Sequence, residues 1–314
     1  MATCPICHST GQKSSLCKVS FTYGSEFDLL ECDRCKGIYY SPIPSTEKFI
    51  EFYLGGGYQF DRWKQEQKAI KLIKQLQKHV QHGRFLDVGC ATGYLLDGIA
   101  RHSSWDVYGV ELSEKPVRFA REMLKLENVV QGDLLEVKYP DEYFSCVHIG
   151  DVLEHVPDPV ALLKECRRIL KMDGVLWLRV PNGYNDSRSL VRAYQEHGIL
   201  GRHAAGHIYF FQKKTFAYMF EAAGFSVLES ETKNFKAGIR NMGWLPMPRN
   251  WAKGMQASPP IAHEDDPPIP LITKKRYPDI YYRYRHWKGD WMKIKGVHDF
   301  GQDLRFLLVP KNDE

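Results

Sequence analysis

Phe85-Leu86-Asp87-Val88-Gly89-Cys90-Ala91-Thr92-Gly93 is the stretch that decides the fold of this chain. Its first four residues, three of them apolar, predict a short buried strand, and the two glycines that follow predict a tight turn. Tyr94 to Ala100 continues as a helix, so a helix N-terminus comes directly after the carboxyl end of a strand. Unpaired N–H groups there, beside a glycine backbone that a ligand can approach, favour a ligand site at 89–93.

The alternation of short apolar strands and amphipathic helices continues towards the end of the chain. Further strands are predicted at 107–110, 129–130, 146–149, 175–180, 225–228 and 304–309, and helices at 113–126, 159–170 and 212–223. Repeated strand–helix units require a mostly parallel sheet with right-handed crossovers and helices on both faces. The sequence therefore predicts a doubly wound α/β domain over residues 84–314.

Two Cys-x-x-Cys pairs precede that domain. Cys4 and Cys7 form the first pair, and Cys32 and Cys35 form the second, 24 residues further on. Each pair can place two thiolates on one tight turn, and two such turns complete a tetrahedral site for zinc. Four protein ligands leave no open position, so the zinc is expected to be structural. Residues 1–40 are therefore predicted to form a zinc-ribbon-like module whose folding depends on the metal.

Residues 41–83 connect the module to the domain. They begin with the linker Ser41-Pro42-Ile43-Pro44-Ser45. An amphipathic helix follows, because apolar side chains repeat at helical spacing between Lys and Gln, at Trp63, Ile70, Ile73, Leu76 and Val80.

The composition limits the class of protein. The 314 residues are 43% apolar and 26% charged, which excludes a chain disordered throughout. No apolar run approaches the roughly 18 residues of a membrane span. The N-terminus lacks a basic region followed by an apolar stretch, so no signal peptide is expected and the expected location is the cytoplasm. A net charge of +5 does not by itself imply nucleic acid.

Acidic residues follow the second and third strands of the domain. Glu111 ends the second strand, 18 residues after Gly93, and Gly132-Asp133 follows the third. In such a sheet a ligand lies outside the carboxyl ends of the strands, where the strand order reverses. A carboxylate at the position of Glu111 can accept two hydrogen bonds from a ribose diol.

Together these motifs resemble those of the class I S-adenosylmethionine-dependent methyltransferases, over about residues 84–232 and the last strand. Leu86 to Gly93 is similar to their first motif, Glu111 to their ribose-binding acid and Asp133 to their adenine-contacting acid. One departure is Ala91, where many members have glycine. The resemblance implies a Rossmann-like, seven-stranded sheet. It also implies cofactor contacts from Asp87, Gly89, Cys90, Ala91, Gly93, Glu111, Leu112, Asp133, Leu134 and Gly150.

Catalytic candidates follow the fourth strand. Asp151, Glu154 and His155 lie within one helical turn of sequence, and His207 comes 52 residues after His155. Methyl transfer to a hydroxyl requires removal of its proton, which a carboxylate or an imidazole can accept. We therefore expect catalytic roles for these four residues.

The same four side chains form an oxygen and nitrogen ligand set for a divalent ion with open positions. They resemble the E-x-x-E-H…H metal site of two groups, the ubiquinone-pathway O-methyltransferases and the small-RNA 3′-terminal 2′-O-methyltransferases. That resemblance implies a metal that engages oxygens of the acceptor. Asp151 departs from the pattern, which has Glu. The alternative is a metal-free turn in which a histidine acts as base or caps the helix.

Residues 233–298 form an insertion before the last strand. They carry 13 Lys or Arg and only five Asp or Glu, with aromatic residues interleaved. Such mixtures bind nucleic-acid backbones, phosphorylated sugars or anionic head groups, or they pack on the domain with their charges in water. Relatives of the family that carry a zinc module include enzymes for sugars and other small molecules and a group that methylates ribosomal RNA. The first expectation is a hydroxyl of a small molecule or glycan precursor; RNA methylation and a non-catalytic scaffold are the alternatives.

Overall fold

A computed structural model describes residues 3–11, 13–20, 26–43, 62–197, 200–201, 207–234 and 302–311. Nearly all of the predicted insertion 233–298 lies outside these residues, and so do residues 44–61 of the predicted connection 41–83. The strands are β1 (Lys13–Ser20), β2 (Glu26–Cys32), β3 (Ile38–Ser41), β4 (Arg84–Val88), β5 (Asp106–Glu111), β6 (Val129–Gln131), β7 (Phe144–Gly150), β8 (Leu170–Pro181), β9 (Leu200–Gly201), β10 (Tyr209–Phe210), β11 (Phe225–Lys233) and β12 (Asp303–Pro310). The helices are α1 (Arg62–Leu76), α2 (Tyr94–His102), α3 (Glu114–Leu124), α4 (Pro159–Ile169), α5 (Gly183–His197) and α6 (Lys213–Ala222).

Seven strands form the central sheet, in the order β11-β12-β8-β7-β4-β5-β6. The strands from β8 to β6 pair in parallel, whereas β12 pairs antiparallel with both β8 and β11. Every residue of β7 before Gly150 is buried, as expected of a strand covered on both faces by helices. The predicted α/β class with a seven-stranded sheet is confirmed.

The strand order reverses between β4 and β7. From β4 the chain proceeds to β5 and β6 on one side and later to β7 and β8 on the other. The carboxyl ends of β4 and β7 therefore border the crevice in which open α/β sheets bind ligands. Both the glycine turn after β4 and the acid–histidine segment after β7 lie at this crevice.

A second sheet contains the N-terminal residues, in the order β10-β3-β2-β1-β9. β1, β2 and β3 form an antiparallel meander, as expected for a hairpin between the cysteine pairs. The outer strands β9 and β10, however, come from residues 200–210, which were assigned to the methyltransferase-like domain. Leu190 of α5 packs into the same buried cluster as Val19 and Leu29. The N-terminal residues and those after β8 thus share one sheet and one core.

The segment after β7 differs from the predicted helical turn. Leu153–His155 is a single 3-10 turn, and Asp151 adopts a left-handed backbone conformation with φ of 59°. That conformation directs Asp151 away from the turn. No helix among the described residues is long and apolar enough to cross a membrane.

Candidate functional site

The turn after β4 has the backbone of a ligand cradle. Gly89 adopts φ of 71°, and a Cβ atom placed on it would lie 2.5 Å from Cγ2 of Val152. Ala91 also has positive φ, at 47°, which explains why glycine is common there in the resembled family. The N–H groups of Gly89 and Cys90 both donate to the carbonyl of Val110, which ties the turn to β5.

Glu111 lies at the carboxyl end of β5, facing this turn. Its Oε2 accepts from the N–H of Ala91 at 3.0 Å, and its Oε1 accepts from the N–H of Ser113 at 3.0 Å. Burial raises the pKa of the Glu111 carboxyl, against the lowering effect of these two bonds. Each carboxylate oxygen has a second lone pair. The side chain can therefore hold the turn and still accept from the two hydroxyls of a ribose.

Asp87 holds the strand below the turn and is buried. Its Oδ1 lies 2.6 Å from Nδ1 of His148 on neighbouring β7. The imidazole of His148 stacks between Phe85 and Trp177, with ring centroids 6.0 Å and 4.9 Å away. This pair fixes β4 against β7 directly beneath the crevice. Sequence reasoning did not find His148, which reads as one more residue of a buried strand.

Of the other predicted cofactor contacts, some have exposed side chains and others are buried in the core. Leu112 is 40% exposed at the end of β5, and the side chain of Asp133 accepts from the N–H of Leu135 at 2.9 Å. Leu134 is only 2% exposed and belongs to the core, so its backbone alone can reach a ligand, whereas the neighbouring Leu135 is 40% exposed. The thiol of Cys90 is likewise buried in the core. Gly150 ends β7 at the crevice.

Three of the four catalytic candidates come together. A metal-ligating atom from each of Glu154, His155 and His207 lies within 4.8 Å of the other two. Nε2 of His155 lies 3.7 Å and Nε2 of His207 lies 4.0 Å from Oε1 of Glu154. Glu154 is 1% exposed, and neither of its carboxylate oxygens has a hydrogen-bond partner among the described residues. A buried carboxylate without hydrogen bonds is unfavourable as a bare anion, and a bound proton or a cation would compensate its charge.

Burial also sets the charge of this cluster. It raises the pKa of Glu154 well above its usual value, with the negative charge of Asp151 adding to the effect. Burial, together with a smaller effect of the nearby His155, lowers the pKa of His207 to about 3. Around neutral pH the His207 imidazole is therefore uncharged and has a nitrogen lone pair for a proton or a metal ion.

Asp151 does not join the cluster. Its carboxylate forms a two-pronged ion pair with Arg179 of β8, in which Nε of Arg179 lies 2.9 Å from Oδ1 and the second nitrogen contacts Oδ2. Its backbone N–H donates to the carbonyl of the same arginine. The ion pair with Arg179 and the left-handed backbone at Asp151 together explain why its side chain lies apart from Glu154 and His155, contrary to the expectation from residue spacing.

Asp186 of α5 is a neighbour of the cluster that sequence reasoning missed. Its Oδ2 lies 3.9 Å from Nδ1 of His207, on the side of the ring opposite Glu154. Its Oδ1 accepts from Nε2 of Gln302 at 2.8 Å. Burial raises the pKa of Asp186 to about 6. The signal available in the sequence was its position five residues after the end of β8, at the carboxyl edge.

The four N-terminal cysteines converge as their spacing predicts. Sγ of Cys4 lies 3.8 Å from Sγ of Cys35, and Sγ of Cys7 lies 3.7 Å from Sγ of Cys32. A tetrahedral zinc ion with Zn–S bonds of about 2.3 Å requires sulfur atoms about 3.8 Å apart. A hydrogen bond from Cys35 lowers the pKa of Cys4 to about 5. The spacing of the sulfur atoms fits a zinc ion.

Comparison with known proteins identifies the family. A family model described as a methyltransferase domain matches residues 60–230, more than half of the chain. The chain belongs to this family. The class I S-adenosylmethionine-dependent methyltransferase domain predicted from the glycine turn and Glu111 is thereby confirmed.

Curated relatives of this methyltransferase domain match about a third of the chain. The ubiquinone biosynthesis O-methyltransferase of Neisseria meningitidis serogroup A is 31% identical over 105 residues, or 32% of this chain and 44% of that protein. The enzyme of the same name from Actinobacillus pleuropneumoniae is 32% identical over 36% of this chain and 52% of that protein. The matched region thus spans about half the length of these curated relatives. A SAM-dependent methyltransferase structure from Archaeoglobus fulgidus covers 78% of this chain and 94% of its own, at 19% identity and a TM-score of 0.44.

Proposed function

We propose that this protein transfers the methyl group of S-adenosylmethionine to a hydroxyl of a small molecule or a glycan precursor. One observation carries the proposal. Val152 contacts the glycine turn at Gly89, and Leu153–His155 follows it at once. The acid–histidine cluster therefore lies beside the cofactor cradle, where an acceptor has to meet the methyl group.

The cofactor side is assigned to the crevice edge of β4, β5 and β6. Gly89, Ala91 and Gly93 leave room for the methionine part, and Glu111 binds the ribose diol. Leu112, Asp133 and the backbone of Leu134 border the adenine, where we add the exposed Leu135. Asp87 and Cys90 support the turn from below, and Gly150 borders the crevice from β7.

S-adenosylmethionine, when bound, supplies a methyl group on a sulfonium sulfur, which makes it a strong electrophile. Alignment of the acceptor oxygen with the methyl–sulfur bond is then the main task of the protein. An oxygen lone pair forms the new C–O bond while the C–S electron pair stays on sulfur. The hydroxyl proton passes to the uncharged imidazole of His207, or to the imidazole of His155 beside it. Asp186, facing Nδ1 of His207, holds the ring so that Nε2 points to the cluster.

A divalent metal ion is the second way in which the cluster can act. Glu154, His155 and His207 would hold it, and Asp151, paired with Arg179, would not. The buried carboxylate without hydrogen bonds supports this assignment, because a cation compensates its charge. A metal at this position would lower the pKa of an acceptor hydroxyl and leave open positions for substrate oxygens.

The N-terminal cysteines are assigned to structural zinc. The fit of their sulfur spacing to a tetrahedral site supports this, and four thiolate ligands leave no position for substrate.

The acceptor class rests on two supports. The curated relatives are named as O-methyltransferases of ubiquinone biosynthesis, a name that describes methyl transfer to an oxygen atom. The cluster in this chain also offers a proton acceptor, which a hydroxyl needs. RNA remains the second candidate, because residues 233–298 carry 13 Lys or Arg among their aromatic residues. A salt-sensitive affinity for RNA would favour it.

Label transfer tests the proposal. The protein is incubated with methyl-labelled S-adenosylmethionine and a cell extract, which is then fractionated into small molecules, glycans and lipids, RNA and protein. Glu111→Ala serves as the control with weakened cofactor binding. Label in small molecules or glycans, stable to mild base as an ether is, supports the proposal. Label in RNA replaces it with the second candidate. Tight cofactor binding without transfer to any fraction would make the chain a scaffold.

A further inference from the structure

The backbone of Ile208 joins the cysteine-bearing sheet to the candidate catalytic cluster. Its N–H donates to the carbonyl of Glu154 at 2.8 Å, and its carbonyl accepts from the N–H of Tyr40 at 3.2 Å. Tyr40 belongs to β3, and His207 is the residue before Ile208. One residue therefore connects the N-terminal sheet to two of the three residues of the cluster.

Strand pairing extends this connection back to the cysteines. Tyr209 pairs with Tyr39, and Phe210 pairs with Ile38. β3 begins three residues after Cys35, whose turn is closed by the bond from the N–H of Cys32 to the carbonyl of Gly37 at 3.0 Å. Any change in the position of that turn is thus transmitted to β10 through main-chain hydrogen bonds.

Side-chain packing reinforces the same connection. Cys4, Cys35 and Ile6 are buried in one cluster with Ile208 and Tyr209. On the far side, the hydroxyl of Tyr209 donates to the carbonyl of Pro157 at 2.7 Å. β10 is consequently held between the cysteine turn and the segment that carries Glu154 and His155.

No hydrogen bond among the described residues joins the cofactor side to the N-terminal sheet, although Val88, Val110 and Leu134 belong to the same buried cluster as Cys4 and Cys35. The glycine turn and Glu111 bond to β5, to Ser113 and to each other. A sheet of about forty residues has too little core to hold its turns without a staple. Among the described residues, the main-chain connection to the cysteine turn therefore belongs to the acceptor side alone.

We propose that the metal held by Cys4, Cys7, Cys32 and Cys35 positions His207 and Glu154 through β3 and β10. Loss of this metal disables the acceptor side of the site while the cofactor side still binds S-adenosylmethionine. The N-terminal cysteines are positioning residues of the active site under this proposal. Its turnover arm rests on the proposed methyl transfer, and its structural arm rests only on the proposed zinc site.

Amide hydrogen exchange of the full chain, with and without zinc, tests the structural arm. Zinc is removed with a chelator, its loss is measured by metal analysis, and S-adenosylmethionine affinity is measured by calorimetry. Amides of 38–41, 153–155 and 208–211 should exchange at least about tenfold faster without zinc. Amides of 85–93 and 107–113 should keep their rates, and cofactor affinity should stay within about twofold. Re-addition of zinc should restore the protected amides.

Cys32→Ser provides the same test without a chelator, and Cys17→Ser is its matched control. Cys17 is a buried cysteine of the same sheet but not one of the four clustered thiols. Cys32→Ser should expose the amides of 208–211, and Cys17→Ser should keep both zinc and their protection. Unchanged protection of 208–211 in zinc-free protein would overturn the proposal, as would loss of cofactor binding together with zinc.

Turnover separates this proposal from the one on which it rests. Loss of transfer in zinc-free protein that still binds cofactor supports both. If wild-type protein transfers no methyl group to a hydroxyl but its 208–211 amides still respond to zinc, the proposed function fails and the coupling stands. If transfer survives complete zinc removal, the coupling has no role in the site.

Discussion

The two sides of the crevice are built in different ways. The cofactor side uses Asp87, the glycine turn and Glu111, all within one strand–helix–strand unit of the chain. The acceptor side brings together Glu154, His155, Asp186 and His207, and it depends on β3 from the N-terminal sheet. A local unit can form its site from its own hydrogen bonds. A site assembled from distant segments depends on every packing contact that orients them.

This difference means that the two sides can fail separately. A substitution at Glu111 acts on cofactor affinity, and one at His207 acts on the chemical step, because no described hydrogen bond joins the two side chains. Variants that change one property and keep the other sharpen the comparison. Variants that change both properties together would break it.

The largest effect is expected from His207→Ala. The substitution removes a proton acceptor or metal ligand from the centre of the cluster, and turnover should fall by about 10²- to 10⁴-fold. Affinity for S-adenosylmethionine, measured by calorimetry, should not change. His79→Ala is the matched control, since His79 contacts Glu229 on the surface at 3.1 Å. Full turnover in both His207→Ala and His155→Ala would remove the catalytic assignment.

Glu111→Ala should act on the other side. The variant deprives the N–H groups of Ala91 and Ser113 of their acceptor and removes the partner of the ribose diol. Affinity for S-adenosylmethionine should weaken by at least about tenfold, because buried donors lose their hydrogen bonds. Glu114→Ala, at an exposed position at the start of α3, is the control. Unchanged affinity in Glu111→Ala would move the ribose site elsewhere.

The sequence predicted the two sides with unequal success for the same reason. Near Gly89 and Glu111, residue spacing within one strand–turn–helix unit determines which groups face the crevice, so the turn and the acid were found. Leu134, predicted as a cofactor contact, can offer only its backbone because its side chain is 2% exposed, whereas the side chain of Leu135 is 40% exposed. The carboxylate of Asp151 pairs with Arg179 of β8, and no sequence pattern near residue 151 predicts this ion pair.

Pairs between distant strands were invisible to local patterns. His148 meets Asp87 because β7 and β4 are neighbours at the switch point, which the topology decides. Asp186 meets His207 only once β9 and β10 have joined the N-terminal sheet. The sequence did predict the α/β class from the alternation of strands and helices and the cysteine cluster from residue spacing, and the family resemblance implied the seven-stranded sheet.

Asp186→Asn should give the third effect in size. Asparagine keeps the shape and can still accept from Gln302 but loses the charge that faces Nδ1 of His207. Turnover should fall by about tenfold, in the range found for groups that orient a histidine from behind. KM for S-adenosylmethionine and the melting temperature should stay the same, whereas a merely structural role would change the melting temperature.

Gln302→Ala should also lower turnover, but by less, because Gln302 donates a hydrogen bond that holds the Asp186 carboxylate in place. A fall in stability without a change in turnover would reduce Asp186 to a packing residue.

The smallest effect is expected at Ala91, on the cofactor side. Its φ of 47° costs a residue with a Cβ atom about 1–2 kcal/mol, and glycine in its place costs about 0.5–1 kcal/mol of chain entropy. Ala91→Gly should therefore stabilise the protein by about 0.5–1 kcal/mol, measured by thermal unfolding, with cofactor affinity unchanged.

Gly89→Ala is the opposite test on the same turn, because its Cβ atom would lie 2.5 Å from Val152 Cγ2 in a conformation that glycine favours. That variant should lose both stability and cofactor affinity while the amides of 208–211 keep their hydrogen-exchange protection. Equal effects of Gly89→Ala on the amides of 208–211 would show that the two sides are coupled after all.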